Sequence, residues 1–202
     1  ACDGACWAAP AATVQRPGHR HRFARLDRGG LADLTACVRG ACDEPQAGSG
    51  EGGATARMGR TDGTLADVLA QGGYLAYALA AALPPARIIE VATAAALLDR
   101  VETSWVADRW ADASVRGARV LLVRAPGGVI DTHLVEGDPH RLIEGVLIAC
   151  RATGIHAARI GVERSGSLEA LRRAIADATA AGILDGSALG GDAVAIEVVP
   201  LA

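Results

Sequence analysis

Apolar positions change their spacing along the chain, and each change predicts a different element. From 65 to 83 nearly every residue is apolar, with alanine dominant, a density that predicts a helix stopped by Pro84-Pro85. A second helix is predicted over 87–98. Beyond it, short continuous apolar runs alternate with longer amphipathic stretches. This predicts strands at 119–123, 158–162 and 194–199, with helices at 139–152 and 168–181. Runs without polar alternation are the pattern of a sheet covered on both faces. Strands separated by helices of this length give an α/β class, an open α/β sandwich.

The first quarter of the chain has a sparser pattern. Residues 12–14 and 21–25 are extended candidates on either side of Arg16-Pro17-Gly18-His19, a turn signal suited to a hairpin. Leu31, Leu34 and Val38 then fall at helical spacing, closed by Gly40. Over 44–63 the run Pro45-Gln46-Ala47-Gly48-Ser49-Gly50 leads into Gly52, Gly53, Gly59 and Gly63, which reads as a flexible linker. The expected organisation is therefore a front segment at 1–43, a linker at 44–63 and an α/β domain at 64–202. The front segment is too small to build a core of its own without a metal, a disulfide or a partner.

Composition narrows the function classes. The chain has 202 residues, 50% hydrophobic, but with 44 alanines against one Phe, one Met and two Tyr, so its core is aliphatic. Net charge is −3, and all 20 basic side chains are arginine, so no basic field exists to gather phosphates and nucleic-acid binding is not expected. The longest apolar run, 74–83, is about half the ~20 residues of a membrane span, which argues against membrane insertion. No basic start precedes an apolar stretch, so no signal peptide is read. The sequence opens without methionine and is read as starting inside a longer product or after processing. Five cysteines without secretory marks point to a reducing, cytoplasmic setting with thiols free for metal or for burial.

Glu136-Gly137-Asp138-Pro139-His140-Arg141-Leu142-Ile143-Glu144-Gly145 is an unusual string. It resembles a segment of the NADH-binding flavoprotein subunit of respiratory complex I and its relatives in NAD-linked formate dehydrogenases and soluble hydrogenases. Gly72-Gly73-Tyr74 followed by Pro84 and Ile88-Ile89-Glu90 is similar to that family's lead-in. Ala180-Ala181-Gly182-Ile183-Leu184 and the strand residues Ile196-Glu197-Val198 continue the likeness, which runs from about 70 to 200. Read from its residues alone, the decapeptide is structural: Asp138 caps a helix, Pro139 takes its first position and Glu144 is solvated or paired. At the start of the chain, Cys2-Asp3-Gly4-Ala5-Cys6-Trp7-Ala8-Ala9-Pro10-Ala11 resembles the closing part of a thioredoxin-like [2Fe-2S] ferredoxin, and Leu26, Leu31 and Leu34 match its last helix.

That resemblance implies FMN, NADH and iron–sulfur chemistry, and the chain departs from it in three places. The family's glycine-rich loop for FMN is replaced by 98–110, where Arg109-Trp110 alone keeps the final basic–Trp pair, while Asp99 and Glu102 add carboxylates that repel phosphate. The polar flavin-ring segment is replaced by 124–133, in which Gly127-Gly128 reads as a plain turn. The third motif, expected beyond Pro200, and a four-cysteine [4Fe-4S] module are missing from the sequence. FMN and NAD are accordingly not expected, and Arg109 remains as a candidate anion contact. The ferredoxin resemblance makes Cys2 and Cys6 half of a [2Fe-2S] ligand set. Cys37 and Cys42 share the C-x4-C spacing of the other half but follow the helix instead of preceding it. Cys150, inside an apolar run, reads as a buried small hydrophobe.

Three functions follow from the resemblance. The first is an accessory electron-transfer or scaffold subunit of a multi-subunit NAD-linked, formate dehydrogenase or hydrogenase-type complex, its other subunits being the partners and no catalysis being carried alone. The alternatives are an active NADH:acceptor diaphorase using FMN and a cluster, and a structural subunit without cofactor.

Overall fold

The computed structural model describes residues 12–16, 19–23, 35, 38–39, 63–97, 104–125 and 127–201. The chain forms two compact units, Ala1–Ala56 and Arg57–Ala202. In the first, β1 (Ala12–Arg16) pairs antiparallel with β2 (His19–Phe23), Ala12 opposite Phe23 and Arg16 opposite His19. The expected hairpin is there, its first strand longer and its second two residues earlier than the pattern suggests. Of the helix expected around Leu31, Leu34 and Val38, only part is described; Arg39 N donates to Thr35 O at 3.1 Å, one helical turn.

The second unit opens with α1 (Leu65–Ala70), α2 (Leu75–Ala81) and α3 (Pro85–Ala94). Thr64 caps α1, its hydroxyl accepting from Asp67 N at 3.3 Å. The single helix expected over 65–83 is thus two helices. Gly72, at φ +78°, and Tyr74, at φ +62°, turn the chain between them, because neither conformation continues a right-handed helix. Pro85 occupies the first position of α3, where its missing N–H costs nothing.

Then follow α4 (Val106–Arg116), β3 (Leu121–Ala125), α5 (Val129–Gly137), α6 (Pro139–Thr153), β4 (Ala157–Val162), α7 (Ser165–Ala180) and β5 (Ala195–Pro200). The cap signals at α6 act as their residue types dictate: Asp138 accepts from Arg141 N at 3.2 Å, Pro139 starts the helix, and Gly154 ends it in the left-handed region. Helices α4 and α5 are additions to the elements that periodicity predicts.

The sheet has the order β3-β4-β5 with both pairs parallel. Its covered face packs Ala158, Ile160 and Val162 of β4 and Val198 of β5 into one cluster with Ile143 and Leu147 of α6 and Leu171, Ala174 and Ala178 of α7. Cover on both faces, which continuous apolar runs suggest, is not what the described residues provide. Leu122, Arg159 and Glu197 lie side by side in the ladder, all exposed, and Arg159 Nε donates to Glu197 Oε2 at 2.8 Å. Two charged residues in the middle of β4 and β5 keep that face wet, and β3 alternates between half-buried and exposed positions. Among the described residues no helix is long and apolar enough to cross a membrane.

Candidate functional site

Buried polar groups concentrate where α6 begins. His140 and Tyr74 are each about 1% exposed, the tyrosine hydroxyl lies 2.9 Å from His140 Nδ1, and the rings meet edge-on with centroids 5.8 Å apart. One turn along α6, the Glu144 carboxylate accepts from the backbone N–H groups of Ala76 (3.0 Å) and Tyr77 (3.4 Å). These are first-turn donors of α2, which have no partner inside that helix. Glu144 is therefore buried and bonded to the backbone; of the two roles its sequence allows, solvation is excluded. The junction fastens α2 to α6 and holds Tyr74 in a left-handed backbone conformation that a bulky residue adopts only under constraint. Tyr77 extends the same contact toward the loop after α7, against Gly191, where a side chain would have no room. Burial, with the Asp192 carboxylate adding to it, raises the Tyr77 hydroxyl above the ordinary phenol value. Arg151 ties this loop down, pairing with Asp192 at 2.8 Å and donating to Leu83 O at 3.1 Å.

The carboxyl ends of parallel strands are the usual place for ligands in an open α/β sheet. Here carboxylates already stand there. Gly127 N, after β3, donates to Glu163 Oε2 at 2.8 Å. Glu136 reaches the first turn of α7, where the buried Ser167 hydroxyl donates to Oε1 at 3.0 Å and Arg164 Nε lies 3.8 Å away. A side chain at Gly166 would run into the same Glu136 oxygen. Both helix starts thus meet an internal anion, and a phosphate entering here would face two negative charges. Gly127-Gly128 is the turn that its residues suggest, with Gly128 at the cap of α5.

Arg109 sits in the first turns of α4 and is exposed. Its neighbour Trp110 instead packs on Ala80, Ile88 and Ala152. Cys2, Cys6, Cys37 and Cys42 lie outside the described residues, as do Asp99 and Glu102. No group of three or more His, Cys, Asp or Glu side chains able to hold a metal occurs among the described residues. A groove of about 170 Å³ runs between the end of α3 and the start of α4, with Ala92, Ala96 and Leu97 on one side and Trp105 and Asp108 on the other.

Cys150 is 1% exposed in α6, as its apolar setting predicts, and burial pushes its thiol up to about 12. In the unfolded chain the thiol ionises near ~8.5. Between that pH and about 12 the unfolded state therefore loses a proton that the folded state keeps. Stability is fully present below the ordinary thiol range and is lost as pH rises through the folded value. The expected result is a urea midpoint that falls between pH 9 and 11 in the parent and falls less in Cys150→Ala.

No family model and no curated protein matches the sequence. Among solved structures, the chain is similar to one from the crystal structure of an NAD+-reducing [NiFe]-hydrogenase in the H2-reduced state, with a TM-score of 0.55 and 22% identity. The match covers 90% of this chain and 32% of that one, so the present sequence spans about a third of the hydrogenase chain. At this identity the likeness is one of fold: the α/β architecture is shared.

Proposed function

We propose that this protein is an accessory electron-transfer or scaffold subunit of an NAD-linked redox complex of the hydrogenase or formate dehydrogenase type. It would work in the cytoplasm beside other subunits and carry no catalysis alone. The observation that carries the reading is the fold it has in common, over nine-tenths of its length, with a chain of an NAD+-reducing hydrogenase. The departures of 98–110 and 124–133 from the flavoprotein pattern support a subunit without FMN. So do Glu163 and Glu136, whose carboxylates stand at the strand ends and fit a flavin phosphate badly. The cysteine segment, by its resemblance to the ferredoxin, supports a [2Fe-2S] site built on Cys2 and Cys6 with two further thiolates. When present, such a cluster passes one electron at a time.

The test is an absorption spectrum of the purified complex, with iron, acid-labile sulfide and released flavin quantified per copy of this chain and the other cofactor-bearing subunits counted separately. About two irons and no flavin is the result expected of a relay subunit. Neither iron nor flavin, with the chain still co-purifying stoichiometrically, is the scaffold result. Stoichiometric FMN on this chain overturns the proposal in favour of an active diaphorase.

A further inference from the structure

We propose that the groove between α3 and α4 is a docking notch for an arginine side chain of a partner protein. This goes beyond the redox reading and does not depend on it. The notch is built by the backbone. After α3 ends, Ala96 takes φ +49°, a left-handed conformation rare for alanine, and Val106 N donates to Leu97 O at 2.9 Å. That bond sets Trp105, the residue that caps α4, beside the end of α3. The α3 side is lined by Ala92, Thr93, Ala96 and Leu97, with no charge among these described residues, and Ala107 lines the α4 side.

Two features of the opposite wall define the occupant. Trp105 is 49% exposed and lines the groove, so about half of a large aromatic side chain is open to solvent beside it. Asp108, in the first turn of α4, is exposed and lines the same groove, and among the described residues it has no ion-pair partner. Neighbouring Arg109 is not among the lining residues. An aromatic face, a carboxylate and alanine-lined walls together select a cation carried on an aliphatic stem. The cavity is well below the ~300–1,000 Å³ of ordinary small-molecule sites, which suits one side chain and not a nucleotide.

Guanidinium fits better than ammonium. It is planar and weakly hydrated, stacks on an indole and can present two parallel donors to a carboxylate. Leu97, 49% exposed, lines the groove and favours apolar residues next to the arginine.

The experiment uses the full chain labelled with ¹⁵N, and follows the Trp105 indole N–H, assigned with Trp105→Phe. It is titrated with N-acetyl-arginine methylamide, with the citrulline and lysine equivalents, and with a capped peptide carrying leucine on both sides of arginine. The expected result is a saturable Trp105 shift with the arginine amide, at least about fivefold weaker binding of citrulline, and tighter binding of the peptide. Asp108→Asn, an exposed substitution whose fold is checked by thermal melting, should weaken the arginine amide by about fivefold. An unmoved Trp105 signal overturns the proposal, as does equal affinity for arginine and citrulline or an unchanged Asp108→Asn titration. Lysine binding as well as arginine overturns the choice of guanidinium. A peptide no tighter than the free amide overturns the choice of a protein partner.

Discussion

Leu147→Ala is expected to lower the unfolding free energy by about 3–4 kcal/mol, the largest effect of any single change considered. Leu147 is fully buried on α6, in the cluster where that helix meets the sheet and α7. Truncation removes the transfer free energy of the lost methyl groups and leaves a cavity that a helix fixed at both caps cannot collapse to fill. For a unit of this size the corresponding fall in Tm is about 10 °C. Urea unfolding followed by far-UV circular dichroism measures it. Leu122→Ala is the matched control: the same chemistry at a position 71% exposed on the open face of the sheet, with an expected change below about 0.5 kcal/mol. Equal losses at both positions would contradict the one-sided packing described above.

The second large effect is expected at Glu144. Replacing it with alanine strips the acceptor from Ala76 N and Tyr77 N in a buried place, and an unmet buried donor costs about 1–3 kcal/mol. Because α2 has only seven residues, too few to be helical alone, the loss should also loosen it locally. Hydrogen exchange at Ala76 and Tyr77 is expected to speed up in Glu144→Ala while the β4 amides keep their parent protection. Glu144→Gln retains an acceptor at the same reach and should recover most of the stability. If Gln were as damaging as Ala, the charge rather than the hydrogen bonds would be holding α2.

What the sequence discloses here follows the range of the interactions. The α6 start was legible because Asp138 and Pro139 act on neighbouring residues, and Cys150 was legible because its apolar neighbours along the chain are also its neighbours in space. The α/β class followed from strands and helices alternating along the chain. The break at 71–74 is less visible, since an alanine-rich stretch masks it and Gly72-Gly73 is the single local sign. Helices α4 and α5 begin within 98–110 and 124–133, where short amphipathic stretches set among glycine, proline and charged residues carry only a weak helical period. The open sheet face was hidden for a different reason. Arg159 and Glu197 interrupt their apolar runs, but one charge per strand reads as an exception until the register sets them side by side. Glu144 bonds to groups 67 and 68 residues away, and the groove joins positions from two helices; neither pairing leaves a local pattern. For Cys2, Cys6, Cys37 and Cys42 the resemblance stands by itself.

The parallel order of β3, β4 and β5 has a kinetic consequence. No neighbouring pair in this sheet can start as a hairpin, because each join passes through at least one helix before the next strand arrives. The entropy of closing each crossover must be spent before any ladder bond forms in return. Early order should therefore come from helix contacts near in sequence, such as α5 against α6, with the strands zipping late. During that interval Leu121 to Ala125 would present unpaired backbone on both edges, so the nascent sheet is the stretch most exposed to association between chains while the protein folds.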